Sequence, residues 1–148
     1  MPEVTAEIHI AADPNRVYGL ARDIERFPEF LPNVQSVAIT ARDGNRVVSE
    51  WVGLIPEFKR TIRWTEEDVW DDVGRACRFR LLSGDWDRYD GLWTFQARDG
   101  GTLVRLEIGY DYSVPLIGPL IKQLLRKLVQ RNADGTLAGL KRQATQEG

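Results

Sequence analysis

Between residues 34 and 113 the chain is built almost entirely of runs in which apolar and polar residues alternate, divided by short turn sequences. The runs fall at about residues 34–41, 46–55, 58–70, 75–83, 88–98 and 102–113, and they are rich in β-branched and aromatic residues. The breaks are Asp43-Gly44-Asn45, Pro56-Glu57, Asp72-Val73-Gly74, Ser83-Gly84-Asp85 and Asp99-Gly100-Gly101. Connections this short join antiparallel neighbours, because a parallel pair needs a crossover of a dozen residues or more. The spacing therefore predicts a six-stranded antiparallel meander. A further strand precedes it, where Val4, Ala6, Ile8 and Ile10 alternate with Thr5, Glu7 and His9.

Helical periodicity flanks the meander on both sides. Asp13-Pro14 reads as an N-cap and first helical position, Val17, Leu20, Ala21 and Ile24 form an apolar stripe at helical spacing, and this first helix is expected to end near Asp23. In E-R-F-P-E-F-L-P-N-V (Glu25–Val34), Phe27, Phe30 and Leu31 stack at i, i+3 and i+4. Pro28 suits the start of a helical turn, and Pro32 disfavours a second turn. A single turn persists only when it packs on something else. After Gly118-Pro119, Leu120, Ile121, Leu124, Leu125, Leu128, Val129, Ala133, Leu137 and Leu140 give one broad apolar face, with Lys122, Arg126, Lys127 and Arg131 on the other. Gly135 and Gly139 make a kink or break possible there. The result is one α+β domain over residues 1–148, with the long helix laid across a sheet that curls around it.

Alternation also sorts side chains by face. The neutral parity, expected to face the helix, holds Ser49, Trp51, Ile62, Trp64, Glu66, Cys77, Phe79, Leu81, Tyr89, Trp93, Phe95, Tyr110 and Tyr112. A sheet packed solidly on a helix favours Val, Ile and Leu, whereas this face carries indole, phenol and carboxyl tips that need partners when buried. Two readings fit: an aromatic core whose tips reach the rim, and an apolar cavity with a few convergent polar groups.

Composition narrows the functions. A net charge of -2 gives no general attraction to nucleic acid, and the single Cys77 excludes an internal disulfide framework. The start M-P-E-V-T-A-E lacks a signal-peptide pattern, and the apolar run Val114 to Ile121 is too short to span a bilayer, so a cytoplasmic protein with no transmembrane segment is expected. One His and one Cys offer no metal-ligand cluster, and there is no Ser-His-acid set or phosphate loop. No metal, no cofactor and no catalytic residue is assigned. Glu66 is the inward carboxylate suited to acid–base work, with a water-bound or Arg-paired rim carboxylate as the alternative.

The stretches D-P-N-R-V-Y-G-L-A-R-D-I-E-R-F-P-E-F-L-P (Asp13–Pro32), G-L-W-T-F (Gly91–Phe95) and T-L-V-R-L-E-I-G-Y-D-Y (Thr102–Tyr112), followed by a long C-terminal helix, resemble the START-like helix-grip (SRPBCC) superfamily in its polyketide cyclase/dehydrase and coenzyme Q-binding branch. The resemblance covers nearly the whole chain. It implies a seven-stranded antiparallel sheet gripping the last helix, two short helices after strand one, and a hydrophobic cavity between sheet and helix. Residues expected to line it are Phe27, Phe30, Leu31, Trp51, Trp64, Glu66, Tyr89, Trp93, Phe95, Tyr110, Tyr112, Leu124 and Leu128. The partner expected is an apolar, ring-containing small molecule such as a quinone, lipid or polyketide-like compound. The alternatives are a polyketide cyclase, aromatase or dehydratase, and a protein like the ribosome-association toxins. Oligomeric state is not legible in the sequence.

Overall fold

The computed structural model describes residues 2–113 and 119–146. Strand β1 (Glu3–Ile10) leads into helix α1 (Pro14–Arg22), a 3₁₀ segment (Ile24–Glu29), and then strands β2 (Val34–Asp43), β3 (Arg46–Ile55), β4 (Arg60–Asp71), β5 (Ala76–Gly84), β6 (Arg88–Arg98) and β7 (Gly101–Asp111). Helix α2 (Pro119–Gln146) closes the chain. All seven strands form one antiparallel sheet in the order β1-β7-β6-β5-β4-β3-β2. The meander is thus extended by β1, which pairs with β7 from Glu3↔Gly109 to Ile10↔Thr102. No helix of the described residues is long and apolar enough to cross a membrane.

Helix α1 begins as its sequence dictates: the Asp13 carboxylate accepts the Asn15 N–H at 2.8 Å, and Pro14 occupies a first-turn position where no donor is needed. Its apolar stripe buries Val17 and Ala21. The following turn differs from expectation in phase. Pro28 lies inside the 3₁₀ segment instead of opening a turn, because the segment starts at Ile24, and Phe27 C=O accepts both Phe30 N–H (3.1 Å) and Leu31 N–H (2.9 Å).

Helix α2 runs unbroken through Gly135 and Gly139 to Gln146. Packing overrides propensity there: Ala133, Leu137, Leu140 and Ala144 are each 1% exposed. Gly139 also has a specific role. A Cβ at that position would lie 2.8 Å from Leu31 Cδ2 and 3.1 Å from Phe30 O, so the glycine is the notch into which the Phe-Pro segment docks. Strand β4 starts at Arg60, two residues later than the alternation suggests, since Pro56–Phe58 forms a 3₁₀ turn ended by Lys59 at φ 51°. The last strand ends at Asp111, while Tyr112 remains buried just beyond it.

Candidate ligand cavity

The inner face of the sheet is organised around β3 and β4. Trp51 and Trp64 are directly opposed across these strands, and their rings stack with centroids 5.7 Å apart and planes 10° from parallel. Each indole N–H finds an acceptor two residues away on its own strand: Trp51 Nε1 donates to Ser49 Oγ and Trp64 Nε1 to Glu66 Oε1, both at 2.8 Å. Gly53 leaves room for the Trp64 ring, which a Cβ there would approach to 3.3 Å. Trp64 also meets Tyr89 (5.4 Å, tilted) and Trp86 (6.2 Å, edge-on), and Trp86 stacks on Tyr89 at 4.9 Å.

Two neighbouring cavities lie between this face and α2. An outer chamber of about 90 Å³ is bounded by the end of β3, the start of β4, Trp86 and the α2 residues Leu125, Leu128 and Val129. An inner chamber of about 70 Å³ is bounded by Phe27 and Leu31 of the Phe-Pro segment, by Trp51, Trp70, Phe79 and Trp93, and by Glu66 and Asp68. Val34, Trp64, Tyr89, Ile108 and Asn132 line both, so these side chains form the partition.

Of the thirteen residues expected to line a cavity, Phe27, Leu31, Trp51, Trp64, Glu66, Tyr89, Trp93 and Leu128 border one or both chambers. Five do not. Phe30 packs behind Phe27 at 5.6 Å and against Gly139. Phe95 is 1% exposed in the core, its ring edge-on to Tyr18 at 5.5 Å. Tyr110 is buried in the core away from both linings, and Tyr112 packs edge-on against Trp86 at 5.6 Å. Leu124 is 37% exposed, because Leu125, Leu128 and Val129 take the inward arc of α2. His9, placed on the polar face, is exposed and bonds Arg98 O at 2.9 Å.

Sequence reasoning missed Asp68, Trp70, Trp86, Asn132 and Thr136. Asp68 and Trp70 share the parity of Trp64 and Glu66, so strict alternation along β4 was a sufficient signal. Asn132 and Thr136 face the inner chamber at i, i+4 on α2. Trp86 sits in the connection between β5 and β6, where no periodicity applies.

The two inward carboxyls dominate the electrostatics. Glu66 is held well above the ordinary carboxyl range, first by burial and then by the neighbouring Asp68 charge, with the Trp64 N–H opposing. Burial also raises Asp68. On the opposite face of β4, Glu67 behaves inversely: hydrogen bonds from Arg80 (2.9 Å) and Arg46 hold it below that range. Among the described residues, no group of three or more His, Cys, Asp or Glu is placed to hold a metal ion.

A raised folded-state value has a definite sign. The folded protein binds more protons than the unfolded chain, so stability is highest in acid and falls as pH rises from the ordinary carboxyl range through the raised value. Glu66→Gln keeps an acceptor for Trp64 and removes that loss. The variant is expected to melt above wild type at pH 8 and to match it near pH 4. Thermal melts across that range check this; a constant difference would mean that Glu66 does not titrate in the fold.

A seven-stranded antiparallel sheet wrapped on a C-terminal helix, with cavities between them, defines a START-like helix-grip domain. Residues 10–136 match the family model described as polyketide cyclase / dehydrase and lipid transport, and the chain belongs to that family. The crystal structure of TTHA0849 from Thermus thermophilus is 39% identical, with a TM-score of 0.94 and 99% of both chains covered. The Zhui aromatase/cyclase from Streptomyces has the same fold at 17% identity (TM-score 0.88, covering 97% of this chain and 93% of that one). A ribosome association toxin from Pseudomonas aeruginosa is 25% identical over 118 residues, 76% of this chain and 80% of its own.

Proposed function

We propose that the protein binds and carries an apolar, ring-containing small molecule in the space between the sheet and α2. The observation that carries this reading is the pair of adjacent aromatic chambers that share Val34, Trp64, Tyr89, Ile108 and Asn132 as lining. Cavities of about 90 and 70 Å³ are below the several hundred Å³ that a drug-sized ligand fills. Movement of the partition around Trp64 joins them, and quinone-, lipid- and polyketide-like rings are the candidates. The Phe-Pro segment then acts as a lid: Phe27 and Leu31 close the inner chamber, and Phe30 seats the segment on Gly139.

Phe30→Ala is expected to speed exchange of naphthoquinone several-fold in stopped-flow quenching of tryptophan fluorescence. Because Phe30 is only half-buried, the variant should lose less stability than the roughly 3–5 kcal/mol of a core phenylalanine truncation. If it destabilises like a core deletion and leaves exchange untouched, the segment is a plug and not a lid. Mass spectrometry of an apolar extract of freshly purified protein tests the ligand class directly.

The buried Glu66–Asp68 pair favours a second reading, a cyclase or dehydratase in which these carboxyls move protons on a polyketide-like substrate. The resemblance to an aromatase/cyclase supports it, and product formation from a poly-β-ketone surrogate tests it. A toxin-like role would rest on the basic residues Lys122, Arg126, Lys127 and Arg131. Arg131 is ion-paired with Glu57 at 3.2 Å, in keeping with a solvated helix face.

A further inference from the structure

Among the described residues, two acidic groups and no basic one line the inner chamber. Glu66 and Asp68 are two residues apart on the inner face of β4, 5% and 3% exposed, and both line the chamber. Glu66 Oε1 accepts the Trp64 indole N–H and the Glu66 and Asp68 carboxyls hydrogen-bond each other, but Asp68 Oδ1 is buried and accepts no hydrogen bond from the described residues. The lining includes no Lys, Arg or His, whereas the rings of Trp51, Trp64, Trp70, Tyr89 and Trp93 surround the space.

We infer that the inner chamber is a binding site for an organic ammonium group, the charged end of the ring-bearing ligand proposed above, and the inference rests on that reading. A buried carboxylate requires a counter-charge, or it keeps a proton. A neutral hydroxyl would donate a hydrogen bond there and leave the charge uncompensated, and a carbonyl oxygen, which only accepts, would not bond a carboxylate. An ammonium supplies N–H donors to Asp68 and a positive charge to the pair, and the faces of the surrounding indoles attract it through their quadrupoles. The apolar body of the ligand then extends past Trp64 into the outer chamber, which has apolar walls at Ile62, Ile108, Leu125 and Val129.

Among the described residues, the other groups near the pair do not offer a competing cation. From β5 and β6, Cys77 and Tyr89 face it with their protons held by burial and by these same two carboxyls. Ser49 of β3 is neutral and serves Trp51, and α2 presents neutral Asn132 and Thr136. Arg22 of α1 stands 5.9 Å from the centroid of Trp70 and is ion-paired with Asp72. Glu67 points to the opposite face of the sheet and engages Arg46 and Arg80. An entering ammonium therefore competes with the proton on the pair, and binding strengthens as pH rises.

The test is isothermal titration of the wild-type protein with 2-phenylethylammonium and with the similarly sized neutral 2-phenylethanol, between about pH 5.5 and 8.5. The amine keeps its charge over that range, as a lysine does. Ammonium affinity is expected to rise with pH, by up to about tenfold per unit where one proton is displaced, and the heat should depend on the buffer because that proton is released. Asp68→Asn is expected to weaken the ammonium at least about tenfold at the upper pH and to leave the alcohol within about threefold. The wild-type pH slope decides the matter even if that variant does not fold. An alcohol that binds as tightly as the ammonium, or ammonium affinity that is flat or falls with pH, overturns the cation site and leaves the apolar-ligand reading standing. Binding of neither compound overturns both.

Discussion

Replacing Gly91 with valine is expected to leave no cooperatively folded protein, and even alanine there should cost several kcal/mol. Gly91 lies in β6, flanked by β5 and β7 and paired with Phe79 and Ile108. A Cβ at this position would fall 2.0 Å from the Glu107 carbonyl oxygen and 2.5 Å from Phe79 Cζ. The first is backbone of the neighbouring strand, so relief requires the β6–β7 ladder to move. The second is a ring resting where a side chain would stand, and β5 and β6 pair only from Ala76↔Thr94 to Arg80↔Asp90. Overpacking of a core typically costs about 1–3 kcal/mol, and displacing a strand exceeds that, against a total stability of about 5–15 kcal/mol. Gly135→Ala provides the contrast. Nothing lies within 4 Å of the point a Cβ would occupy there, so the same added methyl on α2 should stabilise by about 1 kcal/mol. Urea unfolding of the two alanine variants should therefore shift in opposite directions, and a Gly91→Ala midpoint close to wild type would show that the strand gives way cheaply.

The contrast between those two glycines marks where the sequence is legible. Alternation located every strand of the meander and placed Trp51 and Trp64 on one face, because a period of two is a local property that the pleat enforces. It did not separate Gly91 from Gly135, since what occupies the space beside a missing Cβ is decided by residues distant in the chain. Asp68 lay within reach of the same parity rule. Alternation placed Glu66 inward but was not carried two residues further to Asp68; Glu67 pairs with Arg46 and Arg80 on the far face, and the carboxyls on either side of it turn inward. The Phe-Pro turn was legible as a turn that needed a docking surface; the surface itself, Gly139, read as a weak point in the helix. Leu124 illustrates the converse limit, for a broad apolar stripe does not say which arc of it faces the sheet.

Removing the Trp64 indole is expected to have the second large effect, and it separates a partition from a structural plug. Trp64→Ala discards the stack on Trp51, the contacts with Tyr89 and Trp86, and the donor to Glu66, at an expected cost of about 3 kcal/mol and roughly 10 °C in melting temperature. It also joins the outer and inner chambers, since Trp64 lines both. Free indole has the volume and the N–H that were removed. If the walls hold their positions, indole binds the gap and restores stability by mass action, about 2.7 kcal/mol at a hundredfold excess over its dissociation constant. Wild type, with the space filled by its own side chain, should gain much less. Rescue in thermal melts, together with faster entry of naphthoquinone, is the behaviour of a wall between two preformed chambers. If indole does not rescue, the surrounding residues have collapsed into the gap, and Trp64 serves the core instead of dividing a ligand site.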